Sequence, residues 1–468
     1  MPDNDCIRAG SRQGAGQTKG GMTMSSRHRS PALAVLAVLL VALLAGECVF
    51  LVWFVRTDIL KKPAAGSGET IQTPGSPAPA EPDTPTEPET PAEPDTPSEP
   101  DPPAEPDQPA EPEAPAEPEP PADPTAARAQ EILDSMTLDE KIYQLFVVTP
   151  ETLTGVGTAT RAGETTRGAL EASPVGGIIY FAKNLESGEQ TREMISATQS
   201  YAKLGLLICV DEEGGPVARL MDQLGTTRIS AMYTYKDDGA DTARENAATI
   251  GRDILSYGFN TDFAPVADVW SNPNNTVIGK RAYSDDFSQA AELVAAAVSG
   301  FHDAGAICTL KHFPGHGDTN EDSHTSSAHV SKTHAELAGE EWLPFSAGIK
   351  AGADMVMVGH LTVPDIDDVP ATISRTVVTD CLRGELGFDG VVITDSLVMD
   401  AVSSLYAPGE LCVRALEAGC DLLLEPESLA GAAAGISDAV ASGHLTEARI
   451  DESVVRILTL KLKYGILT

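Results

Sequence analysis

Eight short apolar runs of strand character recur along the C-terminal three quarters of the chain: LFVVTP (145–150), VGGIIYFAKN (175–184), GLLICVDEEGG (205–215), FNTDFAPVADV (259–269), AICTLKHFPGHG (306–317), ADMVMVGHL (353–361), GVVITDSLVM (390–399) and CDLLLEPE (420–427). Most intervals carry Ala/Glu-rich sequence of helical character, as in ARENAATIGRDILSYG and FSQAAELVAAAVSGFHDAG. Nearly continuous apolar strands alternating with helices predict a parallel sheet covered by helices. Eight such repeats in about 340 residues predict an α/β fold of the (β/α)8 TIM-barrel type over residues 126–468. Thr137-Leu-Asp-Glu140 has the Thr-x-x-Glu pattern of a capping box and predicts a helix start there.

Almost every run ends in a polar group: Asn184, Asp211, Asp268, Lys311-His312, His360, Asp395 and Glu425. In such barrels the C-terminal strand ends build the active face, so polar residues gathering there predict a site.

The N-terminal quarter has a different pattern. Residues 31–55 form an almost unbroken apolar run, long enough for a helix to cross the roughly 30 Å hydrocarbon core. It follows a basic tail (1–30) and no small-x-small cleavage site ends it, which predicts an uncleaved single-pass anchor. The basic flank favours a cytoplasmic tail, with the catalytic part outside the cell membrane. Residues 56–125 read as a disordered linker. Within it, residues 74–124 hold 20 of the 34 prolines and 15 carboxylates in a loose PAEPDTP repeat. Such a segment is a stiff spacer, reaching on the order of 150 Å at about 3.1 Å per residue.

Charge follows these boundaries. The net charge of −37 divides into +4 over residues 1–62, −16 over 63–125 and −25 over 126–468. A surplus of acid argues against a nucleic-acid partner, because phosphate binding needs Lys and Arg to displace counterions. The cysteines contain no CxxC pair; Cys209 and Cys308 fall in apolar runs and read as buried free thiols.

The densest chemistry lies in Lys311-His-Phe-Pro-Gly-His-Gly-Asp-Thr-Asn-Glu-Asp-Ser-His324. One reading is a metal site built from His312, His316, Asp318 and His324. Pro314 and Gly315 break the i,i+4 histidine pair, and no HxH or HExxH pattern is present. The other reading is acid–base chemistry, with Asp322 holding the His324 imidazole two residues away. On the seventh run Asp395 closes a buried strand and must be paired or hydrogen-bonded to stay ionised, with Arg281 or Lys311 as candidate partners. An ionised carboxylate facing a protonatable group is what double-displacement glycoside hydrolysis requires.

On these motifs residues 126–468 resemble glycoside hydrolase family 3, in its bacterial β-N-acetylglucosaminidase branch. The resemblance is carried by MTLDEKIYQLF (136–146), VDEEGGPVARL (210–220), NTDFAPVADV (260–269), VIGKRAYSDD (277–286), KHFPGHGDTNEDSH (311–324), VGHLTVP (358–364) and AGCDLLLEP (418–426). It implies a single-barrel enzyme without a cofactor or catalytic metal. Asp395 is implied as the nucleophile, His324 as the acid/base and Asp322 as its partner. Asp211, Arg281, Lys311 and His312 are implied to bind sugar hydroxyls, His316 and Asp318 to shape the loop, and Arg219, His360 and Met399 to wall the pocket. The implied substrates are peptidoglycan fragments or other GlcNAc-terminated glycans, cleaved from the end with retention. One departure is Pro216, where the family has Arg after the EGG triplet; a basic contact there is lost.

Other readings of the same residues are a different β-glycosidase or a GlcNAc phosphorylase, a metal-dependent hydrolase, and a catalytically silent wall-binding module on a stalk.

Overall fold

The computed structural model describes residues 124–319 and 328–467. The predicted anchor (31–55) and the bulk of the predicted stalk lie outside these residues, as do Asp322 and His324. No helix among the described residues is long and apolar enough to cross a membrane.

Eight parallel strands form the centre: β1 (Phe146–Val148), β2 (Gly177–Ile179), β3 (Leu207–Val210), β4 (Thr261–Asp262), β5 (Ile307–Phe313), β6 (Met355–Val358), β7 (Val391–Thr394) and β8 (Leu423–Leu424). Each lies inside one of the eight apolar runs. Consecutive strands are neighbours from β1 to β7, and β8 pairs with β1. A parallel bridge between Ile393 and Leu422, with the Thr394 N–H donating to the Leu422 carbonyl at 3.0 Å, joins β7 to β8 and closes the barrel. Closure leaves no free edge, which suits strands this short. Every residue of these eight strands is buried, which is why the runs are continuous rather than alternating.

Helices return the chain between strands. The one over Phe287–Ala304 shows how the sequence sets them: Asp286 accepts the Gln289 N–H at the start, and Gly305 ends it at φ 84°. Between these caps Ala290, Leu293, Val294, Ala297, Val298 and Phe301 face inward at helical spacing. Each large apolar side chain so buried contributes about 1.5–3 kcal/mol. The capping box at Thr137 forms as predicted, with Glu140 reaching back to the Thr137 N–H. The first described helix, Pro124–Asp134, begins two residues ahead of the boundary read at 126; proline is favoured at a helix start.

The fourth run forms less strand than its length suggests. Only Thr261 and Asp262 pair regularly, and a single bridge joins Val266 to Lys311 beyond the interruption at Pro265. Cys209, Cys308, Cys381, Cys412 and Cys420 are buried and free.

The lower rim, at the N-terminal strand ends, is tied by buried charge. Asp421 accepts from Arg383 at 2.6 Å, Ser453 at 2.7 Å, Arg456 at 3.2 Å and the Val392 N–H at 3.0 Å. Asp354 gathers His302, Lys463 and Tyr464 in the same way.

Candidate active site

At the opposite rim a cavity of about 380 Å3 opens over the C-terminal strand ends. Asp211 follows β3, Lys311 and His312 belong to β5, Asp395 follows β7, and Arg281 comes from the loop after β4; all five line the cavity. The sequence-predicted residues that are described therefore converge.

The charged side of the cavity is a quartet of two acids and two cations, of which Glu213 and Lys311 are buried. Lys311 Nζ lies 2.8 Å from Asp211 Oδ1 and 2.7 Å from Glu213 Oε1. Arg281 grips Glu213 with two parallel bonds of 2.8 Å, from Nε and from Nη2. Burial by itself would raise the Glu213 pKa, but the two cations outweigh it and hold the carboxyl far below the ordinary range. Lys311 stays an ammonium for the converse reason: burial works against its charge, and Asp211 and Glu213 more than restore it. Of the two cations expected to supply charge to Asp395, Lys311 does so through its field, while the ion-pair partners of Lys311 and Arg281 are Asp211 and Glu213.

Local chemistry places these groups. After β3, Glu212–Gly214 and Val217–Ala218 form a small antiparallel hairpin whose turn runs through Gly214 and Gly215 at φ 82° and 59°, which turns Glu213 into the barrel mouth. Pro216 is exposed at this turn, and a guanidinium still lines that side of the cavity, from Arg219. Asn275 ties the β4 and β5 loops together: its side chain accepts the Val277 and Ile278 N–H groups and donates to the His316 carbonyl at 2.7 Å. The glycines of the β5 loop answer to crowding. A Cβ at Gly317 would stand 1.6 Å from the Val269 carbonyl oxygen.

Asp268, the strand-end residue of the fourth run, serves β5 rather than the cavity directly. It accepts the backbone N–H of His312 and of His316, and pairs with His312 Nδ1 at 2.7 Å. Its carboxyl is held below the ordinary range: burial opposes ionisation, and the two histidines and the His316 N–H overcome it. His316 is buried and hydrogen-bonded to Thr319, with burial lowering its pKa. The His312, His316 and Asp318 side chains do not come together as a ligand set among the described residues. Two His/Cys/carboxylate groups stand elsewhere: His302 with Cys308 and Asp354, and His334 with Cys381 and Glu385.

Asp395 sits partly exposed to the cavity, with one carboxylate oxygen 2.7 Å from the Ser396 N–H. Burial pushes its pKa up; the fields of His312 and His360, the Ser396 N–H and Lys311 together pull it below the ordinary value. His360 is fixed between Thr372 Oγ1 at 2.7 Å and the Ser396 carbonyl at 2.9 Å. The group is thus an ionised, hydrogen-bonded carboxylate open to a pocket, the state a nucleophile needs.

Two residues in this cavity escaped the sequence reading of roles. Glu213 is the hub of the quartet; its position beside Glu212 in an acidic pair gives no sign of which carboxylate turns inward. Glu425 lines the cavity at the end of β8 with φ 47°.

Relatives share this architecture. A glycoside hydrolase family 3 β-N-acetylglucosaminidase from Paenibacillus sp. FPU-7 superposes with a TM-score of 0.67 at 39% identity, over 71% of this chain and 63% of that one. The beta-hexosaminidase of Stenotrophomonas maltophilia K279a is 38% identical over 260 residues, 54% of this chain and 77% of that protein. Beta-hexosaminidase A of Pseudoalteromonas piscicida is 35% identical over 319 residues, and there the match spans 53% of the relative's length. The glycosyl hydrolase family 3 N-terminal domain matches residues 137–460, nearly all of the barrel, and the chain belongs to that family.

Proposed function

We propose that the barrel is an exo-acting, retaining β-N-acetylhexosaminidase that removes terminal GlcNAc from peptidoglycan fragments or related glycans. The observation that carries this reading is Asp395, held ionised at a cavity whose other side is the Asp211–Glu213–Arg281–Lys311 quartet. The quartet offers fixed donors and acceptors to the hydroxyls of one terminal sugar, with Asp395 presented to the anomeric carbon. His312, oriented by Asp268, adds a further donor beside it.

In the first step Asp395 attacks the anomeric carbon while His324 protonates the departing glycosidic oxygen. In the second, His324 takes a proton from water, which displaces Asp395 and restores the starting anomer. Asp322 keeps the imidazole oriented. The proposed site of action is outside the cell, on a membrane anchor and a stiff acidic stalk, a reading that rests on residues 31–125 alone.

The test is a panel of aryl β-glycosides with and without phosphate and chelator. Hydrolysis of the GlcNAc glycoside, indifferent to both additives, with a covalent adduct on Asp395 from a slow substrate, is the expected result. An Asp395→Ala variant cleaving at the wild-type rate, or product of inverted configuration, overturns it.

A further inference from the structure

The cavity has two unlike sides. The charged quartet occupies the side of β3, β5 and the β4 loop. The other side is largely apolar, with Ile179, Phe181, Val398, Met399 and Leu424, and it holds one titratable group besides Asp395: Glu425. The backbone that carries this carboxyl is fixed. Glu425 is the one non-glycine residue with positive φ among the described residues, at 47°, and its N–H is bonded to the Val147 carbonyl at 2.8 Å. A left-handed conformation away from glycine costs of order 1 kcal/mol and persists where the surrounding structure enforces it.

Resting on the hexosaminidase reading, the geometry points to Glu425 as a specificity-determining residue whose carboxyl group donates a hydrogen bond to the acetamido carbonyl of the bound sugar. The 2-acetamido group is next to the anomeric carbon, so it must lie beside Asp395. Its methyl is the apolar appendage that distinguishes GlcNAc from glucose, and the apolar side of the cavity is the one that receives it favourably. A carboxylate on that wall offers only acceptors to a carbonyl oxygen; the protonated acid offers a donor.

The surroundings of Glu425 favour its protonated form more than those of an exposed glutamate do. Burial is the main influence, and Asp211 from β3 and Asp395 from β7 add like charge. Against these stand the Ser396 hydroxyl and Lys183 from the turn after β2, itself 3.5 Å from Glu151; the net effect raises the carboxyl to about 7. Asp395 is shifted the opposite way, so two carboxyls in one pocket are separated into an anion and an acid. Above neutrality Glu425 ionises, the donor is lost and a third negative charge faces Asp395 and Asp211.

The experiment measures kcat/KM against pH for aryl β-GlcNAc and aryl β-glucoside with wild type, Glu425→Gln and Glu425→Met. Gln keeps a neutral donor that does not titrate, and Met removes it. The expected result is that Glu425→Met lowers the GlcNAc/glucoside ratio about 10- to 100-fold, the size of effect expected when one buried hydrogen-bond partner is removed. Glu425→Gln should keep much of that ratio at pH 6 and abolish its fall with rising pH, a readout that His324, which serves both sugars alike, does not move. Equal losses on both sugars, or a GlcNAc/glucoside ratio whose pH dependence is the same in Glu425→Gln as in wild type while GlcNAc hydrolysis persists, overturn the assignment and leave the hexosaminidase reading standing. A wild type without GlcNAc activity removes both.

Discussion

Asp268 Oδ2 lies 2.7 Å from His312 Nδ1, and the same carboxylate accepts the backbone N–H of both His312 and His316. One buried anion from the fourth strand region thereby fixes the position and the tautomer of a histidine on the fifth: with Asp268 ionised, Nδ1 carries the proton. Asp268→Asn keeps the shape, removes the charge and leaves the amide to choose between donating and accepting. The expected cost is about 1–3 kcal/mol of stability, the range for an unsatisfied buried donor. Because His312 lines the cavity, kcat/KM should fall as well, and urea denaturation alongside kinetics separates the two effects.

Replacing Asp395 by Gly should lower kcat on the order of 10^4-fold or more, as losing a covalent nucleophile does in other hydrolases. Azide fits the space vacated and attacks from the same side, so a glycosyl azide of inverted configuration is the expected rescue product. Chromatography of the products checks it.

His324→Ala should reduce kcat/KM about 10²- to 10⁴-fold on substrates with poor leaving groups, the usual span of general acid–base catalysis. The loss should shrink as the aryl leaving group becomes more acidic, since such a group departs without a proton. A leaving-group series on wild type and variant measures this slope.

Much of this architecture was legible because parallel barrel strands are buried on both faces, so each appears as an apolar run with a polar residue at its end. The eight runs located all eight strands, and Asp211, Lys311, His312 and Asp395 all reach the cavity. What stayed hidden is pairing across the barrel. Arg281 and Glu213 are 68 positions apart, and a local pattern cannot show that Glu213 captures the guanidinium before Asp395 does. Glu425 was visible as a strand-end residue, but its left-handed backbone and its neighbours Asp211 and Asp395 are three-dimensional facts. The β4 run overstated its strand because Pro265 has no N–H to give the ladder, and only Thr261 and Asp262 pair regularly.

Glu213→Gln should expose how far the quartet holds the barrel mouth together. The native carboxyl ionises more readily than in the unfolded chain, whose value is near the ordinary 4.5. Its stabilising contribution is therefore complete above that pH and is lost as pH falls below it toward the depressed native value. Substitution leaves Lys311 with Asp211 alone and Arg281 without its carboxylate, which should cost about 3–5 kcal/mol, as breaking a buried pair does. Urea midpoints at pH 7 and pH 4 should show the gap between wild type and variant narrowing at the lower pH. KM should rise as well, because both cations lose the anion that aims them.

Asp421 offers the opposite case, a buried charge far from the chemistry. It joins Arg383, Arg456, Ser453 and the Val392 N–H at the N-terminal end of β8, where the closing helix Glu447–Lys463 meets the barrel. In this fold the N-terminal rim carries stability and the C-terminal rim carries catalysis. Asp421→Ala strips the carboxylate that the guanidinium groups of Arg383, Arg449 and Arg456 share. The expected loss is about 3–5 kcal/mol, comparable with Glu213. The two variants should part company in kinetics: at a temperature where both remain folded, Asp421→Ala keeps kcat and KM at wild-type values, while Glu213→Gln does not. A drop in kcat/KM for folded Asp421→Ala would mean that closure between β7 and β8, two residues below Asp395 at the Ile393–Leu422 bridge, also positions the nucleophile.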